Sequence, residues 1–284
     1  MMDVEETPGI RIGLALGGGA VRGAAHVGVL DEMVRAGLEP AVITGTSAGA
    51  LVGALYAAGQ TPSEILKLAQ TLRWARLVRP ARTRKALFET SKLGAFLETA
   101  LGNATFDDLG LPFAAVACDL ATGGEVVMRE GSVAQAVLAS AAVPGVFPPV
   151  DRDGLMLVDG SLVNIVPAGV ARRLGADIVV AVDVSGPLPR RPPATILHIM
   201  VAVSTLQPGG TDNLANDADL VLTPDVDGYA FWELSRIPEF SDAGRAAAAE
   251  AMPLLSALKD AAAARKAWEL ARQPTATQTS SSSP

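Results

Sequence analysis

The chain is poor in the residues that build disulfides and metal centres. It has one cysteine, Cys118, and two histidines, His26 and His198, among 284 residues. A lone thiol closes no internal disulfide, and its place in an apolar run marks Cys118 as a buried thiol rather than a reactive one. No histidine or cysteine cluster has zinc-ligand spacing, and no oxygen-rich loop suits calcium, so neither a metal nor another cofactor is expected. Positive charge is also short. Lys and Arg number 23 against 30 Asp and Glu, a net charge of −7, which argues against nucleic acid as a partner. Long apolar runs are missing too. Stretches such as Ala48 to Ala58 fall well below the roughly 20 residues that span a bilayer. The first ten residues, MMDVEETPGI, are acidic and read as no secretory signal. These absences predict a protein of the reducing cytoplasm that meets a membrane only at its surface. No feature of the sequence fixes an oligomeric state.

What is present is apolar and alternates between strand and helix signals. Apolar residues make up 49% of the chain, enough for a sizeable core. Strands are predicted at Ile10 to Leu16, Ala41 to Thr44, Pro112 to Cys118, Glu125 to Arg129, Leu155 to Val158, Ile178 to Val184 and Leu220 to Thr223. Helices are predicted at Val21 to Ala36, Ala48 to Ala58, from Thr61, at Ser132 to Ala142 and at Pro167 to Leu174. Thr61-Pro62-Ser63-Glu64 has the form of a capping box with proline in the first turn. Ile196 to Val203 is ambiguous between strand and helix. Asp242 to Arg272 is an alanine-rich helix or a helix pair broken at Pro253. The alternation predicts an α/β fold, a mainly parallel central sheet with helices on both faces. No linker or repeat divides it, so one domain over residues 8–272 is expected, followed by a disordered, low-complexity tail over 273–284.

Three motifs sit at the ends of predicted strands. Gly17-Gly18-Gly19-Ala20-Val21-Arg22-Gly23 follows the first; consecutive glycines leave backbone N–H groups approachable by an anion or a developing oxyanion. Thr44-Gly45-Thr46-Ser47-Ala48-Gly49 has the form of a nucleophile elbow, a sharp strand-to-helix turn that presents a hydroxyl. Gly45 and Gly49 flank Ser47, where a Cβ would crowd the turn. Asp159-Gly160-Ser161 places an aspartate at a strand end, ready to meet a side chain from a neighbouring strand.

In this order, the motifs resemble those of bacterial patatin-like phospholipases. The similar segments are LALGGGAVRGAAHVGVL (14–30), ITGTSAGALVGALYAAG (43–59), ASAAVPGVFPPV (139–150) and LVDGSLVNIVP (157–167), with VACDLATGG (116–124) weaker. The likeness runs from about residue 10 to about 185. It implies a patatin-like three-layer sandwich and a serine acyl hydrolase that cleaves lipid esters. It further implies a Ser–Asp dyad without histidine, with Ser47 as nucleophile and Asp159, followed by Gly160, as general base and acid. An oxyanion hole would come from Gly17, Gly18 and Gly19, anchored by Arg22. The chain departs from the family pattern at Ala20 and Ser161, both small; Ser161 is placed to hydrogen-bond Asp159 and lower its basicity.

Other readings stand beside this one. The order Ser47, Asp159, His198 is that of an α/β-hydrolase triad, although His198 lies inside an apolar run. A dinucleotide fingerprint starting at Gly17 fails because its third glycine falls on Arg22. A binding or regulatory protein on the same scaffold would keep every motif. His26 reads as a packed residue, Asp119 as a structural hydrogen-bonding group and Asn164 as a loop brace. The stretch Arg73 to Lys85 holds six basic residues and no acid. It is either a solvated face or a peripheral contact with anionic lipid, with Trp74 at the interface.

Overall fold

A computed structural model of the protein describes residues 9–82, 86–186, 195–204, 214–227 and 232–272. The expected tail and residue 8 lie outside the described residues, as do Arg84 and Lys85 of the basic stretch.

In chain order, the strands are β1 (Ile12–Leu16), β2 (Val42–Thr46), β3 (Arg79–Pro80), β4 (Phe88–Glu89), β5 (Phe113–Asp119), β6 (Glu125–Met128), β7 (Val150–Arg152), β8 (Leu155–Asp159), β9 (Ile178–Val182) and β10 (Leu220–Leu222). The helices are α1 (Ala24–Arg35), α2 (Ala48–Ala57), α3 (Pro62–Thr71), α4 (Trp74–Leu77), α5 (Ser91–Leu101), α6 (Val133–Ser140), α7 (Ala168–Arg173), α8 (Ile196–Ser204), α9 (Leu214–Asp217) and α10 (Ile237–Ala271).

The main sheet runs β10-β9-β1-β2-β5-β8-β7, with β6 also paired to β5. Its half from β10 to β5 is parallel. From β5 outward the pairs to β6, β8 and β7 are antiparallel. Of the parallel strands, β1, β2, β5 and β9 are buried on both faces, which is why they read as continuous apolar runs, whereas β10 at the edge leaves Val221 exposed. Along β1, Leu14 and Leu16 enter the large core under α1 and α2, while Ala15 points to the opposite face. There Ala15, Val179 and Ala181 pack on Ile165, Val166 and the α7 residues Ala168 and Ala171. β1 and β2 therefore end side by side, with the glycine loop and Ser47 at the same edge.

Local signals explain several boundaries. The Thr61 hydroxyl accepts from the Glu64 amide and Glu64 returns a bond to the Thr61 amide, completing the capping box that starts α3. The helix expected from Val21 begins instead as a 3-10 turn over Ala20–Gly23 before α1. The ambiguous Ile196 segment is helical. Pro253 does not break the last helix: α10 continues through it from Ile237 to Ala271. The helix is held by close packing on α1. An added Cβ at Gly28 would lie 1.8 Å from the Ser241 carbonyl oxygen, and one at Gly244 would lie 1.9 Å from that of Ala25. Two glycines thus let the helix backbones nearly touch. No helix among the described residues is long and apolar enough to cross a membrane.

Candidate active site

β2 ends at Thr46, and the chain turns sharply into α2 at Ser47. Ser47 has φ 53° and ψ −116°, a left-handed conformation that costs a non-glycine residue about 1–3 kcal/mol. The surroundings enforce the turn. The Ser47 amide donates to Ser140 Oγ at 2.8 Å, and Ser140 Oγ donates onward to the Val116 carbonyl at 2.5 Å. The flanking glycines are sterically required. A Cβ at Gly45 would lie 2.5 Å from the Ala50 amide nitrogen, and one at Gly49 would lie 2.1 Å from the Leu16 carbonyl oxygen.

Asp159 arrives from the antiparallel side. β8 pairs with β5 so that Asp159 lies opposite Ala117, while Thr46 lies opposite Val116. Ser47 Oγ donates directly to Asp159 Oδ2 at 2.7 Å. The other oxygen, Oδ1, accepts the Ser161 amide at 2.8 Å. Asp159 is 1% exposed, and burial pushes its pKa above the ordinary carboxylate value. Hydrogen bonds from Ser161 and Ser47 pull the other way, but burial wins. Ser161 thus lowers the basicity of Asp159, as the sequence suggests, without setting its net direction. Gly160 has no room for a side chain, since a Cβ there would meet the Val116 carbonyl oxygen at 2.2 Å.

The glycine loop lies beside this pair, but its three amides are not equivalent. The Gly17 N–H donates to the Val182 carbonyl at 3.0 Å and the Gly18 N–H to that of Ile165 at 2.9 Å. Those two amides anchor the loop to β9 and to the chain before α7, so Gly17 and Gly18 shape the loop and do not offer free donors. A Cβ on Gly18 would lie 2.3 Å from Ser161 Oγ and 3.5 Å from Ser47 Cβ, which places the loop against Ser47 and Ser161. Ala20 follows with φ 50°, a second left-handed residue at the site. Arg22 is fully buried, and its Nη1 donates to the Ser185 carbonyl at 2.6 Å, tying the loop to the segment after β9. Burial lowers its pKa, and Asp227 partly offsets this.

Neither histidine stands between Ser47 and Asp159. His26 Nε2 donates to the Gly17 carbonyl at 2.7 Å from a fully buried ring, and burial lowers its pKa to about 4. It is a neutral brace beneath the loop. His198, on α8, stacks face to face on Trp232 at 3.5 Å between ring centroids. With serine bonded straight to aspartate, the Ser–His–Asp relay loses its geometry.

Ser47 opens on its other side into a cavity of about 470 Å³. Its wall is almost wholly hydrocarbon, with Leu51, Ile65, Leu97, Val137, Phe147 and Val201 drawn from separate elements. Among the described residues, no Asp, Glu, Lys or Arg lines it. The other polar residues that the sequence singles out are structural. Asp119 accepts from Thr122 Oγ1 at 2.7 Å in the β5–β6 turn. Asn164 receives Thr46 Oγ1 on its carbonyl at 2.8 Å and donates to Glu125 at 2.5 Å. Cys118 is buried. Ser140 escapes a reading of the sequence; its one signal is its place in the ASAAVPG segment.

The patatin-like phospholipase family model matches residues 14–172, more than half of the chain. The chain belongs to that family. An uncharacterised NTE family protein of Mycobacterium tuberculosis is 34% identical over 179 residues, 62% of this chain and 49% of that one. Human patatin-like phospholipase domain-containing protein 6 is 33% identical over 189 residues, 62% of this chain and 13% of that one. The chain thus spans half or less of the length of these relatives. Among solved structures, VipD from Legionella pneumophila shares the fold at a TM-score of 0.59 and 14% identity, over 88% of this chain and 67% of that one. The family region ends within α7. It contains the glycine loop, Ser47 and Asp159, whereas His198, Val201 and Trp232, which also line the cavity, lie beyond it.

Proposed function

We propose that the protein is a serine acyl hydrolase of lipid esters, working through a Ser47–Asp159 dyad. The observation that carries this reading is the direct 2.7 Å hydrogen bond from Ser47 Oγ to Asp159 Oδ2 beside an apolar cavity. A serine hydroxyl needs a neighbouring base to become a competent nucleophile. Asp159 Oδ2 takes the proton as Ser47 Oγ attacks the ester carbonyl. The raised pKa of the buried carboxylate makes it a better base than an exposed one. The alkoxide-like oxygen of the tetrahedral intermediate then needs amide donors. Gly17 and Gly18 are committed elsewhere, so the role falls to the Gly19 and Ala20 amides, supported by the N-terminus of α2. Asp159 returns its proton to the leaving alcohol, and the acyl group stays on Ser47. Water, deprotonated by the same carboxylate, releases the acid. The cavity receives the acyl chain, because a hydrocarbon wall without charge favours hydrocarbon alone; its size falls within the range of about 300–1,000 Å³ usual for ligand sites.

The test is hydrolysis of p-nitrophenyl esters of graded chain length and of labelled phospholipids. Ser47→Ala and Asp159→Asn are expected to lose about 10³-fold or more in kcat, and His198→Ala to stay within a few-fold. A fluorophosphonate probe is expected to label Ser47. Full activity in Ser47→Ala, or loss confined to His198→Ala, would overturn the reading.

A further inference from the structure

The basic stretch that the dyad leaves unexplained lies on the rim of the acyl cavity, beside a helix that turns an apolar face outward. α8 has two faces. His198 and Val201 line the cavity, and Ala202 is buried. Ile196, Ile199 and Val203, spaced i, i+3 and i+7, form one stripe that is 66%, 49% and 55% exposed. Contacts join this helix to the basic stretch. The His198 ring stacks on Trp232, and the Trp232 carbonyl accepts Trp74 Nε1 at 3.0 Å. Trp74 lines the cavity and is also 42% exposed, so it stands at the mouth. In the same stretch, Arg73, Arg76, Arg79 and Arg82 are all exposed. Arg79 approaches Glu89 at 3.8 Å, and the stretch from residue 73 to 82 holds no acid of its own.

We propose that this rim is a docking surface for an anionic lipid bilayer, with the α8 stripe and Trp74 entering the headgroup boundary and the arginines meeting lipid phosphates. The charge distribution selects the partner. The whole chain carries −7, yet the stretch from residue 73 to 82, which sends Trp74, Leu77 and Val78 into the cavity wall, carries four exposed arginines and no acid. A generally acidic molecule would be repelled by an anionic membrane in most orientations and held in the one that turns this mouth toward it. An exposed tryptophan, an apolar helical stripe and flanking arginines are the elements of an interfacial contact. Docking there would let an acyl chain pass from bilayer to cavity without crossing water. The purpose of the surface rests on the hydrolase reading, but its existence does not.

The experiment uses the full chain with Ser47→Ala, so that vesicles are not consumed. Co-sedimentation is measured with phosphatidylcholine vesicles and with the same vesicles containing about 30 mol% phosphatidylglycerol, at low and high salt. Partitioning is expected to be about tenfold stronger on the anionic vesicles and to weaken with salt. Ile199→Glu with Val203→Glu is expected to abolish it on both. Arg73→Gln with Arg76→Gln is expected to remove most of that tenfold preference and bring anionic binding toward the neutral value. Neither pair lines the cavity, so with Ser47 restored both variants should hydrolyse a soluble short-chain ester at the parental rate, which also reports folding. Unchanged partitioning of these folded variants would overturn the proposal. So would a parent chain that ignores both vesicles, which would leave the face to a protein partner. A parent chain that binds vesicles but hydrolyses no soluble ester would sink the hydrolase reading and spare this one; circular dichroism then reports folding.

Discussion

The two sides of Ser47 are built from opposite materials. On one side a web of polar bonds surrounds the serine: Asp159 holds Ser47 and Ser161, Ser140 holds the Ser47 amide, and Thr46 holds Asn164. On the other side is a cavity walled by aliphatic and aromatic carbon. The polar side fixes geometry, because each donor has one acceptor at one distance and a buried polar group left unpaired is expensive. The apolar side fixes only volume, because dispersion and hydrophobic burial have no direction. One side should therefore respond sharply to the smallest change and the other in proportion to size.

Short of removing Ser47 or Asp159 itself, the largest expected effect probes the polar side with one methyl group. Gly18→Ala would drive a Cβ to within 2.3 Å of Ser161 Oγ, a hydroxyl that itself hydrogen-bonds Asp159, so displacing it disturbs the carboxylate. Displacements on this scale at a reacting centre cost about 10²-fold, and we expect that fall in kcat/KM for a soluble ester. Adding Ser161→Gly should restore most of the rate by removing the obstructing hydroxyl. A Gly18→Ala enzyme at parental activity would mean that the polar side is as forgiving as the apolar one.

A change of far greater volume on the apolar side should act more gently and selectively. Ala69→Phe, on α3 in the cavity wall, adds bulk at a position away from the Ser47–Asp159 hydrogen bond. Each methylene of substrate that loses its seat forfeits about 0.8 kcal/mol. The ratio of long-chain to short-chain kcat/KM should fall about tenfold, with the short-chain rate kept. If chain-length profiles of the two proteins coincide, the cavity is not the acyl seat.

The same contrast explains what the sequence discloses. The elbow is legible because Gly45 and Gly49 are demanded by atoms within a few residues or at a neighbouring strand end. The parallel strands are legible as runs such as Ile178 to Val182, buried on both faces. The cavity is not, since its wall gathers interchangeable apolar residues from α2 to α10, and no single one signals a site. Nor is Ser140, whose bond to the Ser47 amide joins residues 93 apart. The commitment of the Gly17 and Gly18 amides is hidden for the same reason, as their acceptors are Val182 and Ile165. α5 escapes notice because Thr90 before it makes no side-chain cap, and β7 because it is a short strand carrying Asp151 and Arg152.

The smallest expected effect is also the one whose sign divides the two sides. Apolar burial stabilises a fold, whereas Asp159 is a buried carboxylate whose pKa is raised chiefly by desolvation. The native state therefore holds that proton more tightly than the unfolded chain does. The stability linked to it is fully present below the unfolded pKa of about 3.9, and is lost as pH rises through the higher native value. At neutral pH the ionised group then works against folding, despite its bonds to Ser47 and Ser161. Asp159→Asn keeps the shape and removes the charge. It should be inactive yet more stable than the parent at pH 7 by about 1 kcal/mol, as is common where a site is built for reaction rather than rest. Denaturant melts at a series of pH values should show this gain shrinking as pH falls through the native pKa of Asp159. Ser47→Ala should go the other way, since it leaves the carboxylate buried with one donor fewer. Were Asp159→Asn less stable than the parent at neutral pH, the hydrogen bonds around the carboxylate would outweigh its desolvation, and the polar side of Ser47 would hold the fold together as the hydrocarbon side does.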